Sequence, residues 1–386
     1  MPASDAASTI SPFRIEIAQH ELDELRERLR RTRWADELAG TGWDYGVPLE
    51  YLKPLVDYWQ HRYDWRRWEA RLNSFPQFRT EIDGQNVHFL HVCSAEPDAV
   101  PLLLTHGWPG SVADFLDVIG PLTDPRSHGA PAGAPAFDLV IPSLPGYAFS
   151  GPTRDRGWGA ERVARAWAEL MRRLGYRHYG AGGNDAGSEV SVALARAVAE
   201  SVIGVHVTHI WSGPRGDAGE LDGLSEGDQA ALDIRNWFVE NLGAYNDLHA
   251  QQPQTVAHAL SDSPVGLLAW YGQIFQDEVD ADFLLTDVTL AWLTGTVASS
   301  LRMYYEKRRD PQVVQPSTVP VALAQFGNDY VSMRRFAERD HHHIVSWNVY
   351  ERPGHFAAHQ SPELLVADIR DFFGGLRPPV SGEAAG

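Results

Sequence analysis

The feature that most constrains the fold is a repeated order of apolar run, short turn and helix in the middle of the chain. The apolar runs are residues 87–92, 100–105, 137–142, a run that ends near 181, and 202–210. The intervening segments include helix patterns over about 160–174 and 188–199. Alternation of this kind is typical of a parallel sheet with helices on both faces, so we predict an α/β protein with a mainly parallel sheet.

A segment of different character precedes this alternation, and another interrupts it. Residues 1–80 contain a stretch rich in aromatic side chains, which we interpret as an arm that packs on a larger domain. Residues 213–315 are mostly helical in pattern, and strand patterns return at 319–326 and 344–350. A helical insertion between two strands of a parallel sheet indicates a cap over the carboxyl ends of the strands, where such sheets bind ligands. The predicted units are an N-terminal arm (1–80), a first core part (81–212), a helical cap (213–315) and a second core part (316–386).

Asp185 lies in the turn between a predicted strand and a predicted helix, with Gly183 two residues before it and Gly187 two residues after it. Glycines at these positions let the backbone turn tightly and expose the central side chain, as in a nucleophile elbow. An aspartate is ionised at neutral pH and can attack an electrophilic carbon to form an ester. On this motif alone, an aspartate that caps the following helix is the alternative.

Two later residues extend the pattern. Asp329 follows the predicted strand 319–326, and His355 follows the predicted strand 344–350. The order Asp185, Asp329, His355 is the order of nucleophile, acid and histidine in α/β-hydrolases. A histidine held by an ionised carboxylate can take a proton from water, which contributes roughly 10² to 10⁴-fold to a rate. The joint placement therefore predicts a catalytic triad, although His355 alone would more often be structural.

The sequence His106–Gly107–Trp108–Pro109 follows the predicted strand 100–105. A loop at this place supplies a backbone N–H to an oxyanion hole. We therefore expect the N–H groups of Trp108 and Ala186 to stabilise the oxyanion of an ester that is being hydrolysed. Removal of one such donor typically costs about 3 to 4 kcal/mol. Alternatively, Pro109 merely turns the chain and Trp108 fills the core.

Composition excludes several classes of function. The chain has 33 basic and 51 acidic residues and a formal charge of −18, which argues against binding to nucleic acid or to an anionic membrane surface. The single cysteine, Cys93, excludes an internal disulfide and a multi-cysteine metal site. Without a phosphate loop, a dinucleotide motif or ligand-spaced metal residues, we expect no cofactor and no metal. The chain shows neither a signal peptide nor a run of about 18 to 20 apolar residues, so we expect a cytoplasmic protein.

Together these motifs resemble the microsomal-type branch of the epoxide hydrolases in the α/β-hydrolase superfamily. The matching segments are residues 13–78, 106–111, 183–187, 245–266, 294–304 and 354–358. The resemblance implies an α/β-hydrolase fold that converts an epoxide, expected to be aryl or bulky, to a vicinal diol through a covalent aspartyl ester. The chain is most similar in type to soluble bacterial and fungal members. That likeness implies a role in secondary metabolism, such as antibiotic biosynthesis.

The resemblance also implies that Tyr245 and Tyr304 donate hydrogen bonds to the epoxide oxygen. Ring opening generates an alkoxide that needs an acid, and a phenol can serve. Each tyrosine could instead be a core residue, and Tyr305 is the alternative to Tyr304. Two departures stand out: Ala186 occupies a position where the membrane-bound branch usually has Trp, and Asp329 one where those relatives often have Glu. The shape of the substrate therefore does not carry over.

Two other functions remain open at this stage. A haloalkane dehalogenase shares the Asp–His–Asp machinery, but it usually needs a Trp directly after the nucleophile, where this chain has Ala186. A catalytically inactive hydrolase fold could serve as a binding module, although the full set of catalytic residue types argues against it. The expected partners are a small-molecule epoxide and water, with no nucleic acid and no membrane. The aromatic arm makes a homodimer conceivable.

Overall fold

The computed structural model describes residues 9–276, 278–310 and 315–376. These residues form a nine-stranded sheet with the order β1-β2-β3-β5-β4-β6-β7-β8-β9. The strands are β1 (Ser11–Phe13), β2 (Gln77–Ile82), β3 (Gln85–Val92), β4 (Val100–Thr105), β5 (Phe137–Pro142), β6 (Tyr179–Gly183), β7 (Val202–Val207), β8 (Val321–Gly327) and β9 (Ile344–Pro353). Strands β1, β2, β3 and β5 pair antiparallel, and the five pairings from β5 to β9 are parallel. The predicted fold class, α/β with a mainly parallel sheet and a helical cap, is confirmed.

Fifteen α-helices surround this sheet in the described part of the chain. They are α1 (Gln19–Arg30), α2 (Leu49–His61), α3 (Trp65–Leu72), α4 (Leu116–Thr123), α5 (Ala160–Arg173), α6 (Ala186–Ala197), α7 (Glu226–Asn241), α8 (Ala244–Gln251), α9 (Pro253–Asp262), α10 (Pro264–Phe275), α11 (Ala281–Leu293), α12 (Val297–Lys307), α13 (Arg334–Asp340), α14 (Ala357–Gln360) and α15 (Pro362–Gly375). Helix α5 shows why they pack: Val163, Trp167 and Leu170 repeat at helical spacing and are buried, while Arg165 and Arg172 face solvent.

The arm is joined to the sheet as well as packed on it. Strand β1 pairs with β2, and β2 pairs with β3, so the predicted boundary at residue 80 falls inside β2. The sequence pattern did not indicate this strand, because its buried residues include the polar Gln77 and Thr80 as well as Ile82. The division of the chain into four units otherwise stays a prediction, and residues 1–8 and 377–386 of its first and last units lie outside the described residues.

Helix α2 of the arm and the short connection that follows it attach to helix α11 of the cap. The Trp59 indole N–H donates to the Thr289 hydroxyl at 3.0 Å, and the Tyr63 hydroxyl lies 3.0 Å from that of Thr286. Both aromatic side chains are buried, and each such burial contributes roughly 1.5 to 3 kcal/mol. The aromatic residues of the arm therefore hold the cap in place over the sheet.

Among the described residues, no single helix has both the length and the apolar character needed to cross a membrane. Helices α11 and α12 pass that test only as a pair, and they are bent by 95° at the break between them. Most of α11 is buried inside the protein, as expected for a core helix of the cap.

Candidate active site

Asp185 occupies a strained position between β6 and α6. Its backbone has φ 46° and ψ −121°, in the left-handed region that side-chain-bearing residues rarely adopt. A Cβ on either Gly183 or Gly187 would collide with the backbone carbonyl oxygen of Thr105. The turn thus needs glycine at both positions, and it projects the Asp185 side chain from the carboxyl end of the sheet.

Asp329 and His355 follow β8 and β9, and the structure brings them together. Nδ1 of His355 lies 2.9 Å from Oδ1 of Asp329, so Nδ1–H donates to the carboxylate. The other ring nitrogen, Nε2, is buried and has no hydrogen-bond partner among the described residues. Burial lowers the pKa of His355, but Asp329, Asp185 and Glu278 outweigh it and raise this pKa to about 9. His355 therefore keeps a nitrogen available to a water molecule or a substrate.

Trp108 connects the nucleophile to the aromatic wall of the cap. Its backbone N–H donates to Oδ1 of Asp185 at 3.0 Å. Its buried indole ring stacks on Tyr245 at 5.2 Å and meets Tyr304 edge-on at 5.7 Å. The ring therefore fills the core while the backbone N–H faces the nucleophile, and the role of that N–H in an oxyanion hole stays a prediction. The N–H of Ala186, at the first position of α6, has no acceptor among the described residues, as is usual at a helix start.

Tyr245 and Tyr304 face each other in the cap with ring centroids 6.0 Å apart. Burial raises the pKa of both phenols, and the negative charge of Asp185 raises both further. Both groups are therefore protonated and able to donate at neutral pH. Tyr305 points elsewhere: its ring lies 3.4 Å from the Arg309 guanidinium and lines a surface groove with Thr153.

Two further residues at this site were missed by reasoning from the sequence. His209 follows β7, and its Nε2 lies 2.6 Å from Oδ2 of Asp329. Trp211 donates its indole N–H to the backbone carbonyl of Asp185 at 2.9 Å. The predicted strand 202–210 ran through His209, whereas β7 ends at Val207. His209 could have been identified by the same signal as Asp329, namely a polar side chain just beyond the end of a parallel strand.

The side chains of His209, Asp329 and His355 come close enough together, within 4.8 Å, to suit a metal ion. Each carboxylate oxygen of Asp329 already lies within hydrogen-bond distance of an imidazole nitrogen. Burial would raise the pKa of Asp329, but the interactions with the two histidines outweigh it and lower this pKa. A hydrogen-bonded carboxylate between two imidazoles accounts for the arrangement.

Comparisons with known proteins show which family the chain resembles. Residues 10–115 match the family described as "Epoxide hydrolase N terminus", and residues 100–256 match the family described as "alpha/beta hydrolase fold". The chain is 41% identical to a presumed epoxide hydrolase of Stigmatella aurantiaca, over 95% of this chain and 86% of that protein. It is 33% identical to epoxide hydrolase 1 of Sus scrofa, over 97% of this chain and 91% of that protein.

Solved structures show the same likeness. The epoxide hydrolase of Aspergillus niger superposes with a TM-score of 0.84 at 31% identity, covering 96% of this chain and 98% of that one. The juvenile hormone epoxide hydrolase of Bombyx mori superposes with a TM-score of 0.87 at 28% identity, covering 96% and 95%. The chain therefore belongs to the epoxide hydrolase family of the α/β-hydrolase superfamily and is a hydrolase.

Proposed function

We propose that this enzyme hydrolyses an aryl or otherwise bulky epoxide to a vicinal diol through a covalent ester on Asp185. The observation that carries the proposal is the double role of Trp108. Its N–H binds the Asp185 carboxylate, while its ring contacts both Tyr245 and Tyr304. Trp108 therefore contacts both the nucleophile, Asp185, and the two phenols that can act as acids. Opening of an epoxide requires a nucleophile and an acid close together.

The first step forms the ester. Oδ1 of Asp185 is held by Trp108, and Oδ2 accepts no hydrogen bond from the described residues. Oδ2 attacks one epoxide carbon as the bond from that carbon to the ring oxygen breaks. The electron pair stays on the oxygen, which takes a proton from Tyr245 or Tyr304, and the tyrosinate regains a proton from solvent. Two donors aimed at the developing alkoxide lower the barrier to this step.

The second step hydrolyses the ester. Nε2 of His355 takes a proton from water, and the resulting hydroxide adds to the carbonyl carbon. The N–H groups of Trp108 and Ala186 stabilise the oxyanion. Its collapse expels the diol oxygen, which takes the proton from His355. The Asp185 carboxyl group then releases its proton to solvent, which restores the carboxylate and replaces the proton that the tyrosinate took up. Ester formation removes the charge of Asp185 that helps to raise the pKa of His355, so a larger fraction of His355 is neutral and able to accept a proton at this step.

The preference for an aryl substrate rests on the wall beside Asp185. Trp211 leaves 36% of its surface exposed while its N–H holds the Asp185 backbone. Its ring lies 4.5 Å from that of Tyr330 and is tilted from it by 39°, so a second aromatic ring adjoins the first. Such surfaces bind aryl groups by stacking. The small Ala186 side chain leaves room next to the nucleophile. The cytoplasmic location, the role in secondary metabolism or antibiotic biosynthesis, and the homodimer stay predictions.

Trapping of the ester tests the proposal. His355→Gln should react with styrene oxide but hydrolyse the ester slowly, so mass spectrometry should find one substrate mass added to the peptide that contains Asp185. Asp185→Asn is the matched control and should give no adduct. Normal diol formation by His355→Gln with no adduct would refute the assigned roles.

A further inference from the structure

His209 joins the acid of the triad to the backbone of the nucleophile. Its Nε2 lies 2.6 Å from Oδ2 of Asp329, and its Nδ1 accepts the backbone N–H of Asp185 at 3.0 Å. The hydroxyl of Thr208 lies 2.8 Å from the same Nδ1. The ring is buried and stacks on Trp211, with centroids 4.9 Å apart.

These contacts determine the tautomer of His209. A backbone N–H can only donate, so Nδ1 of His209 must carry a lone pair and no proton. The proton of the neutral ring therefore sits on Nε2, where it is donated to Asp329. If His209 were an imidazolium, its Nδ1 would carry a proton that points at the backbone N–H of Asp185. Oδ2 of Asp329 thus receives the N–H of His209, and Oδ1 receives the N–H of His355 and the backbone N–H of Tyr330.

We propose that His209 is a positioning residue for the hydrolytic step. It holds Asp329 in place and takes up part of the negative charge that Asp329 otherwise shares between His355 and the backbone N–H of Tyr330. This inference rests on the proposed function, since it concerns how His355 serves as the base. Charge-assisted hydrogen bonds are strong and directional. A second donor therefore fixes the orientation of the Asp329 carboxylate and makes it a weaker acceptor for the N–H of His355.

The consequence is a His355 that loses its proton more easily. The charged or titratable groups that face His355 are Asp329, Asp185 and Glu278, and the ring of His209 lies 5.5 Å away. When Asp185 is an ester, Asp329 and Glu278 are the remaining anions. Without the His209 donor, more of the negative charge of Asp329 would favour the imidazolium form of His355, and hydrolysis would need a higher pH.

Three substitutions separate the two contacts of His209. His209→Asn keeps an acceptor near the position of Nδ1 but cannot reach Asp329, whereas His209→Gln places an amide N–H near the position of Nε2. His209→Phe keeps the ring stack on Trp211 and loses both contacts. The rates of ester formation and ester hydrolysis are measured separately by rapid quench with styrene oxide from pH 6 to 10.

In the Asn and Phe variants, we expect the acid limb of the pH–rate profile for ester hydrolysis to move upward by about one pH unit. Hydrolysis near pH 7 then becomes up to about tenfold slower. Ester formation should change less than hydrolysis in the Asn variant. The Gln variant should recover most of the wild-type limb. A limb at the wild-type pH in both Asn and Phe variants, or no recovery with Gln, overturns the proposal. If the Phe variant does not fold, the Asn and Gln pair decides.

A measurement without turnover separates this inference from the proposed function. Nitrogen NMR of the ¹⁵N-histidine-labelled enzyme, with the signals of His209 identified by their loss in His209→Asn, should show a protonated Nε2 and a bare Nδ1. A protonated Nδ1 contradicts the assigned tautomer. If the wild-type enzyme forms no ester, the proposed function is refuted. If the ester forms but the acid limb does not shift in the Asn and Phe variants, only the role of His209 is refuted.

Discussion

His359 lies between two carboxylates from different layers of the enzyme. Its Nδ1 is 2.9 Å from Asp117 of core helix α4, and its Nε2 is 2.9 Å from Asp280, which caps helix α11. Both nitrogens must donate, so the ring is an imidazolium. Burial lowers the pKa of His359, but the hydrogen bonds and charges of the two carboxylates outweigh it and raise this pKa to about 9. The imidazolium is therefore an ionic link between core and cap.

This link predicts a pH-dependent contribution to stability. Because the pKa is higher in the folded than in the unfolded protein, the contribution is complete below about pH 6.5 and disappears as the pH rises through about 9. His359→Gln should reduce the free energy of unfolding by about 1 kcal/mol at pH 6, a value discounted for the exposure of Asp280, and by much less at pH 10. Urea unfolding at both pH values measures this, with the exposed His178→Gln as control. An equal loss at the two pH values would contradict the assignment.

The positions of the phenols predict which tyrosines act on the epoxide. Tyr304→Phe should slow ester formation from styrene oxide by roughly 10²-fold, because one of two acids for the alkoxide is lost. Tyr305→Phe is the matched control on the next residue and should stay within about twofold of wild type, since its ring lies under Arg309. Single-turnover rates decide the point, and a larger loss with Tyr305→Phe would show that the wrong phenol was assigned.

The exposed ring of Trp211 predicts a preference among substrates. Trp211→Ala should lower kcat/KM for styrene oxide about three- to tenfold more than kcat/KM for an aliphatic epoxide such as 1,2-epoxyhexane, because the stacking surface is removed. Comparison of the two substrates cancels the lost hydrogen bond to the Asp185 backbone. Trp211→Phe keeps a ring and should retain most of the preference. Equal losses for both substrates with Trp211→Ala would rule out stacking on this wall.

The elements that depend on apolar periodicity were predictable from the sequence. Strands β4 and β5 have the predicted bounds, and helix α5 ends within one residue of its predicted end. The sequence also placed Asp185, Asp329 and His355 at the carboxyl ends of strands, and in the structure the last two hydrogen-bond to each other. The order of the strands along the chain and a glycine-flanked turn are visible in the local sequence pattern. Both could therefore be predicted from the sequence.

Features that depend on distant contacts were not predictable. Strand β2 buries polar residues, and Gln77 is satisfied there by His88 on the neighbouring strand, 11 residues away. His209 meets Asp329 across 120 residues, and its position outside β7 follows from a hydrogen bond between the Ile210 N–H and the Ser332 hydroxyl. The apolar run through 210 looked like continuous strand because these partners are invisible in the local pattern.

The covalent role of Asp185 is tested most directly by a single turnover in ¹⁸O-labelled water with enzyme in excess over styrene oxide. Attack by Asp185 puts a carboxylate oxygen into the diol, so the diol should be unlabelled and the label should appear in Asp185. A second portion of substrate should then carry that label into its diol. Incorporation of solvent ¹⁸O into the diol of that first turnover would show that water attacks the epoxide directly and would contradict the ester mechanism.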